Sequence, residues 1–531
     1  MTRTASKGVA TIVAAVTIAF FLLSLGKTAS TPEPRSEVHA IWAHPSDAGQ
    51  TPESVRAFVE QCKRANIDLI VMMGKGTDGS IFWKSRRFPQ AVAPAYQSFD
   101  LIEDLTREAH AQGIRVHIWL CDFVEGINGA AYREHPEWAQ LNADGGITST
   151  EPLNGGRPYG GLGMCPARRP GYTDQWLLPM IEELAANYPI DGIHHDYVRY
   201  TGDVAPDSYC FCDFCLKNLP RHALFNWETR PEERYRAQMV RPRIEANWED
   251  SPSMLPADWE QRDRREKADF LLNGRTLPGG PADMRYFFYE YRVDQINAFV
   301  REAWERVKRI NPRIEISAAV FKNPIQSARF IGQKWNDWTP WIDTFMPMSY
   351  RSHFQGSFDA YLDHLTEITT RQMEWIGRRK PLYVGIATTY LFREETQPLD
   401  DLRQAASELK ALPATDAKNR AEKARAIATA FEAVRARLAR FAPERERELA
   451  TLVAAVAPQE SGPADLATPD ALVNLVNRLR REPPPGYLPP EKLAQAIAAA
   501  RKAQPDGIVI FAAGSVTREN LWPALEAAFE R

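Results

Sequence analysis

The chain has 531 residues, of which 65 are Lys or Arg and 68 are Asp or Glu, so its formal charge is −3. A balance this close to neutral presents no global field to recruit nucleic acid, which is set aside as a partner. The length admits one large barrel with insertions or two domains, and 14 Trp residues supply flat apolar faces that serve a core or stack on sugar rings.

At the N-terminus, Arg3 and Lys7 precede an uncharged run from Gly8 to Gly26, followed by Lys27 and a Thr/Ser/Pro/Glu-rich stretch to about Glu37. This is the pattern of an export signal, and the run is nearly long enough to span a bilayer. Residues 1–36 are therefore expected to be a signal peptide or an N-terminal membrane anchor that places residues 37–531 in the periplasm or outside the cell. Thr28-Ala29-Ser30 offers a small-residue cleavage site, and no Cys follows the run to carry a lipid.

From Glu37 a strand-then-helix pattern repeats. Val38 to Trp42 reads as the first strand, with His44 just beyond it, and Glu53 to Ala65 as the first helix. Asp68 to Met73 is the second strand. A loop rich in Gly, Arg and aromatics, Gly74 to Tyr96, leads to a helix from about Asp100 to Gln112, where Gly113 suits a C-cap. Arg115 to Cys121 is the third strand; it contains His117 and Trp119 and ends at Asp122. A long Gly-rich loop, Phe123 to Gly171, follows, and loops of this length in a domain are usually functional. A helix from Trp176 to Tyr188 is stopped by Pro189, and the short apolar Gly192 to Asp196 reads as a buried fourth strand with a polar end.

Residues 201–283 form a first insertion, opening with a cysteine cluster. Met284 to Arg309 is a helix, and Ile314 to Val320, Thr344 to Met348 and Leu382 to Ala387 are strands five, six and seven, with a helix over Asp359 to Ile376. A second insertion, residues 388–490, is rich in Ala, Arg and Glu and reads as helical from about Asp416 to Val456, with Pro483-Pro484-Pro485-Gly486 as an extended linker. Glu491 to Ala503 is a helix, Gly507 to Ala512 strand eight and Arg518 to Phe529 the closing helix. Eight such units specify an α/β fold, a (β/α)8 TIM barrel with insertions after strands four and seven. The rival, a doubly wound open sheet, lacks a Gly-x-Gly-x-x-Gly fingerprint after any strand.

In such a barrel chemistry gathers at the C-terminal ends of the strands, which is where Asp196 is placed. Arg199 and the neighbouring Tyr197 and Tyr200 are expected to hold it ionised. Acid and base chemistry at such a mouth calls for a second carboxyl group beside it. Asp122, nearest a predicted strand end, is the preferred partner, ahead of Glu125, Glu394 and Glu395; Asp343, at the start of strand six, is left out. Trp42, His44, His117, Trp119, His194, Tyr197, Arg199, Tyr350 and His353 fall at or near strand ends and form the expected substrate-binding mouth. No His-Glu-x-x-His or comparable spacing supports a His-bound catalytic metal, and no organic cofactor is expected.

Cys210-Phe-Cys212-Asp-Phe-Cys215 places three thiols within six residues, a spacing that can fold around one tetrahedral ion. Cys165, in the loop before the Asp196 strand, is the expected fourth ligand of a zinc ion. Disulfides are the alternative, favoured by export.

Met164-Cys165-Pro166, Tyr188 and the run from Asp191 to Tyr200, Asp-Gly-Ile-His-His-Asp-Tyr-Val-Arg-Tyr, resemble the glycoside-hydrolase-like family 10 of bacterial exported proteins. Weaker echoes lie in Ala40-Ile41-Trp42, Val116-His117-Ile118-Trp119 and Met346-Pro347-Met348-Ser349-Tyr350. The resemblance implies a TIM barrel acting on a glycosidic bond of a polysaccharide or oligosaccharide, with peptidoglycan glycan strands among the substrates. The helical insertion between strands seven and eight departs from that pattern. A looser similarity to chitinase-like barrels stops at Val198, which stands where their catalytic Glu would be, so their chemistry does not carry over. The thiol cluster is similar to the zinc cluster of family 42 β-galactosidases, which implies a structural ion. A glycan-binding or scaffold protein on a degenerate barrel is the alternative function.

Overall fold

Strand β1 (Val38–Ala43) is hydrogen-bonded on one side to β2 (Leu69–Lys75) and on the other to the last strand of the chain, and that pairing decides the architecture. The computed structural model describes residues 37–147, 161–201, 209–219, 255–275, 279–413, 415–456 and 467–530. The expected leader at 1–36, much of the first insertion and part of the loop before the Asp196 strand lie outside the described residues. Among the described residues no helix is long and apolar enough to cross a membrane.

After β2 come β3 (Arg115–Cys121), a short antiparallel ribbon of β4 (Val124–Gly126) with β5 (Gly161–Gly163), then β6 (Gly192–Asp196), β7 (Glu315–Phe321), β8 (Thr344–Met348), β9 (Tyr383–Ala387) and β10 (Gly507–Phe511). The parallel strands close in the order β1-β2-β3-β6-β7-β8-β9-β10, and β10 pairs with both β9 and β1. This is a (β/α)8 barrel, and residues 38–531 form one unit. The eight expected strands are all present, with ends displaced by one or two residues.

Strand alternation builds two separate apolar layers. One face of each strand points into the barrel, where Trp42, Val71, Trp119, Ala319, Met346 and Val509 pack on one another. The other face meets the surrounding helices, as Ile41, Ile70, Ile118 and Ile193 do. The helix Pro52–Arg64 shows how local chemistry fits this plan. Thr51 caps its N-terminus through the Ser54 N–H, Pro52 occupies the first turn, and Val55, Phe58, Val59 and Cys62 form the buried stripe.

The second insertion is more helical than its sequence pattern indicates. Helices cover Arg393–Ala411, Ala417–Phe441, Pro443–Ala455 and Ala467–Arg481. Pro398 inside the first of them is a local break signal, overridden because Leu399, Leu402 and Leu409 bury one face in the core. The Pro-rich stretch is pinned to the body of the protein by Tyr487, which is buried and donates its hydroxyl to the Glu395 carbonyl at 3.0 Å.

Part of the segment following β2 is bolted down by a single carboxylate. Buried Glu183 accepts from Trp83 Nε1 (3.3 Å), Ser85 Oγ (2.6 Å) and the backbone N–H groups of Arg86 (2.9 Å) and Arg87 (3.2 Å). Glu183→Ala leaves these donors facing a cavity and is expected to cost about 3 kcal/mol of unfolding free energy in a urea titration. A loss below about 0.5 kcal/mol would mean that water replaces the carboxylate without penalty.

Candidate active site

The site is built on the end of β6. Residue 197 adopts φ +51°, a left-handed conformation that is unusual for a bulky side chain. The turn brings the Tyr197 N–H back to the carboxylate before it, with Tyr197 N donating to Asp196 Oδ1 at 2.6 Å. Arg199 Nη1 donates to the same oxygen at 3.3 Å, and its guanidinium lies 4.0 Å from the Tyr197 ring centroid and 5.0 Å from that of Phe321. Burial nevertheless pushes the Asp196 carboxyl above the usual carboxylate range, and Arg199, the Tyr197 N–H and Trp119 offset only part of that shift. Arg199 thus works in the expected direction, favouring the charged form, while loss of water is the larger influence and works against it.

Asp196 lines a cavity of about 570 Å³ at the C-terminal mouth of the barrel. Trp42, His44, Trp119, Tyr197, Arg199, Tyr350 and His353 line it as well, so seven of the nine expected binding residues come together there. Phe82, Phe321, Tyr390 and Phe511 complete an aromatic wall that sequence reasoning did not assemble. His353 donates through Nδ1 to the Met348 carbonyl at 2.9 Å; burial lowers its pKa, leaving a neutral ring with Nε2 as acceptor.

His117 and His194 are not at the mouth. Both are fully buried inside the barrel: His194 is in register with Trp119, whose larger ring reaches the cavity lining, and His117 lies one layer deeper on β3. Trp42 Nε1 can only donate, and it donates to His194 Nε2 at 3.1 Å, so the proton of His194 sits on Nδ1 and goes to Ser317 Oγ at 2.9 Å. Ser317 Oγ is also 2.9 Å from His117 Nδ1, whose Nε2 approaches Glu315 at 3.5 Å. The column is an internal polar strut. Burial drives the His194 pKa far down, keeping the ring neutral. Gly192 makes room for it, since a Cβ there would lie 2.5 Å from the His117 ring.

Asp122 is also corrected. Cys121 faces into the barrel, so Asp122 faces the helices, where it is completely buried with Oδ2 2.8 Å from His195 Nδ1. Glu125 is buried against Lys75 Nζ at 3.1 Å, and Glu394 and Glu395 are engaged by Lys492 at 3.0 and 2.9 Å. None of these carboxyl groups lines the cavity. Asp78 does, from the loop after β2. The sequence signal was present in Gly76-Thr77-Asp78-Gly79, an acid flanked by glycines just beyond a barrel strand.

Cys165, Cys210, Cys212 and Cys215 converge beside the β6 exit, all buried, with their sulfurs within 4.8 Å of one another. Cys165 Sγ lies 3.5 Å from Cys215 Sγ and 3.8 Å from Cys212 Sγ. Four sulfurs at about 2.3 Å from a tetrahedral ion would be about 3.8 Å apart, so the donor set fits one zinc. The thiols are not paired as disulfides.

A family model described as hypothetical glycosyl hydrolase 6 matches residues 54–197, a span that takes in Asp78, Trp119 and Asp196. Glycosyl hydrolase DigH of Escherichia coli K12 is 20% identical over 165 residues, which cover 27% of this chain and 33% of that protein; DigH of Shigella flexneri gives the same values. The chain thus aligns with about a third of the length of these curated relatives. Among solved structures, the β-galactosidase of Rahnella sp. R3 is similar with a TM-score of 0.44 and 16% identity, covering 71% of this chain and 49% of that one. The GH42 β-galactosidase Gan42B of G. stearothermophilus gives 0.45 and 13%, covering 70% and 50%. What the sequence matches support is a glycoside-hydrolase-like segment in this chain, the coarser part of the resemblance read from its residues.

Proposed function

We propose that the protein is a glycoside hydrolase in which Asp196 protonates the leaving oxygen of a glycosidic bond held at the barrel mouth. The observation that carries this reading is a buried carboxyl group, raised in pKa, at a strand's C-terminal end in an aromatic-walled cavity. A proton donor must still hold its proton at working pH, which the desolvated setting of Asp196 favours. Phe82, Tyr390 and Phe511, which are not fully buried, offer ring surface to pyranose rings, while Arg199 and His353 supply polar contacts.

The substrate is a polysaccharide or oligosaccharide. Peptidoglycan glycan strands enter the proposal through the family 10 resemblance and through the apolar run at residues 8–26, which supports export or membrane anchoring. The test is to incubate the full-length protein with a glycan panel that includes stem-peptide-free peptidoglycan strands, and to follow new reducing ends by mass spectrometry. Release of shorter chains from at least one glycan is expected. Saturable binding with no cleavage across the panel would overturn hydrolysis in favour of a glycan-binding barrel.

We also propose that Cys165, Cys210, Cys212 and Cys215 hold a structural zinc, supported by four buried sulfurs at mutually suitable distances. The ion would tie the loop before β6 to the segment after it. No catalytic step passes through it.

A further inference from the structure

Resting on the hydrolase reading, we propose that Asp78 is the second carboxylate of the reaction and activates the attacking water. Asp78 and Asp196 are the acidic side chains of the described cavity lining. They arrive from opposite sides. β2 and β6 are the two neighbours of β3, so the carboxyl groups flank the Trp119 and Cys121 side chains. The strands that deliver them stand two strand spacings apart, about 10 Å, and both residues line the same cavity. Asp196 is buried whereas Asp78 is exposed, a division suited to one proton donor and one base in contact with water.

The protein invests unusual packing in holding this exposed residue. Lys75 Nζ, fully buried, donates to the carbonyls of Cys121 and Val124, both at 2.7 Å, and pairs with Glu125, which also accepts from Tyr172 at 2.8 Å. A buried ion pair is costly to desolvate and fixes geometry more readily than it adds stability. The loop then seats on the ribbon through glycines: a Cβ at Gly126 would lie 2.9 Å from the Asp78 carbonyl oxygen and 3.0 Å from its Cα, and one at Gly129 would lie 2.9 Å from the same oxygen. Gly79, at φ +83°, would drive a Cβ to 1.8 Å from Glu125. Ser80 donates its N–H and its hydroxyl to the Asp78 carboxylate, both at 3.0 Å. An exposed acid on a backbone clamped this tightly is placed in advance for a ligand in the cavity.

In the step itself, Asp78 takes a proton from water as the water oxygen bonds to the anomeric carbon. The bond to the leaving oxygen breaks and that oxygen receives the Asp196 proton. The carboxyl groups thereby exchange protonation states and are reset through solvent. The product has inverted configuration.

The experiment uses the full chain and a glycan that the wild type cleaves. Asp78→Ala is expected to lower kcat by about 10³-fold, leaving KM and the thermal midpoint nearly unchanged, with azide restoring turnover as a glycosyl azide. Gly126→Ala, which touches no cavity, is expected to lower kcat by about tenfold or more through displacement of the Asp78 backbone. Anomer analysis by NMR should show inversion. An active wild type whose Asp78→Ala form keeps its rate would remove Asp78 while leaving the hydrolase reading intact, and retained configuration would overturn its role as base to water. A wild type that cleaves nothing sinks both proposals together.

Discussion

Asp196→Asn is expected to lower glycan turnover by about 10³-fold or more while the protein remains folded and still binds substrate. The amide keeps the shape of the carboxyl group and an oxygen to accept from the Tyr197 N–H, but it has no proton to give a leaving oxygen. Its effect on stability has a definite sign. Burial raises the folded-state pKa of Asp196, so between the unfolded and folded pKa values the native protein binds the extra proton. Stability is therefore lost across that window as pH rises. Asparagine carries no such ionisation, so this loss should be absent from the variant's profile. Arg199 keeps an oxygen to donate to in the variant, together with the faces of Tyr197 and Phe321. Steady-state kinetics, a pH–rate profile and thermal unfolding in parallel decide the matter. The wild-type rate should fall as pH rises through the folded pKa of the proton donor. A variant with wild-type activity would remove Asp196 from the chemistry; an unfolded variant would show that its role is in the fold.

Stripping the thiol cluster is expected to have the largest effect on stability. Structural zinc in small sites contributes about 10 kcal/mol or more of apparent binding free energy, because the sulfurs come together only in the folded state. Cys165 lies in the loop before β6, and the other three cysteines follow it, near buried Tyr200, which is four residues from Asp196. Chelation, or Cys215→Ser, should lower the thermal midpoint by about 10 °C or more and reduce glycan turnover by loosening the end of β6. Elemental analysis of protein prepared without chelator should give one zinc per chain, with four thiols becoming titratable when it is removed. Two disulfides among these cysteines and no metal would end the proposal.

The sequence alone determined the repeat of eight strand and helix units, because each strand is a short apolar run and each helix carries a buried stripe readable at its own period. It also placed Asp196 at a strand end and grouped Cys210, Cys212 and Cys215 by spacing, since both are local patterns. Seven cavity residues were legible for a similar reason: they lie within a few residues of a strand's C-terminal end. Depth and direction were not legible. His117 and His194 lie on the right face but too far from the mouth, because a period of two fixes the side and the register of the closed barrel fixes the level. Asp122 follows an inward-facing Cys121, so it turns toward the helices and pairs with His195, across 73 positions of sequence. The ionisation of Asp196 turned on how much water its neighbours exclude, which no run of residues around it states. Asp78 carries a local signal in its flanking glycines, but only the closed barrel puts it on the same cavity lining as Asp196. Local periodicity thus set the elements, and long-range packing decided which of their polar side chains share a solvent-facing cavity.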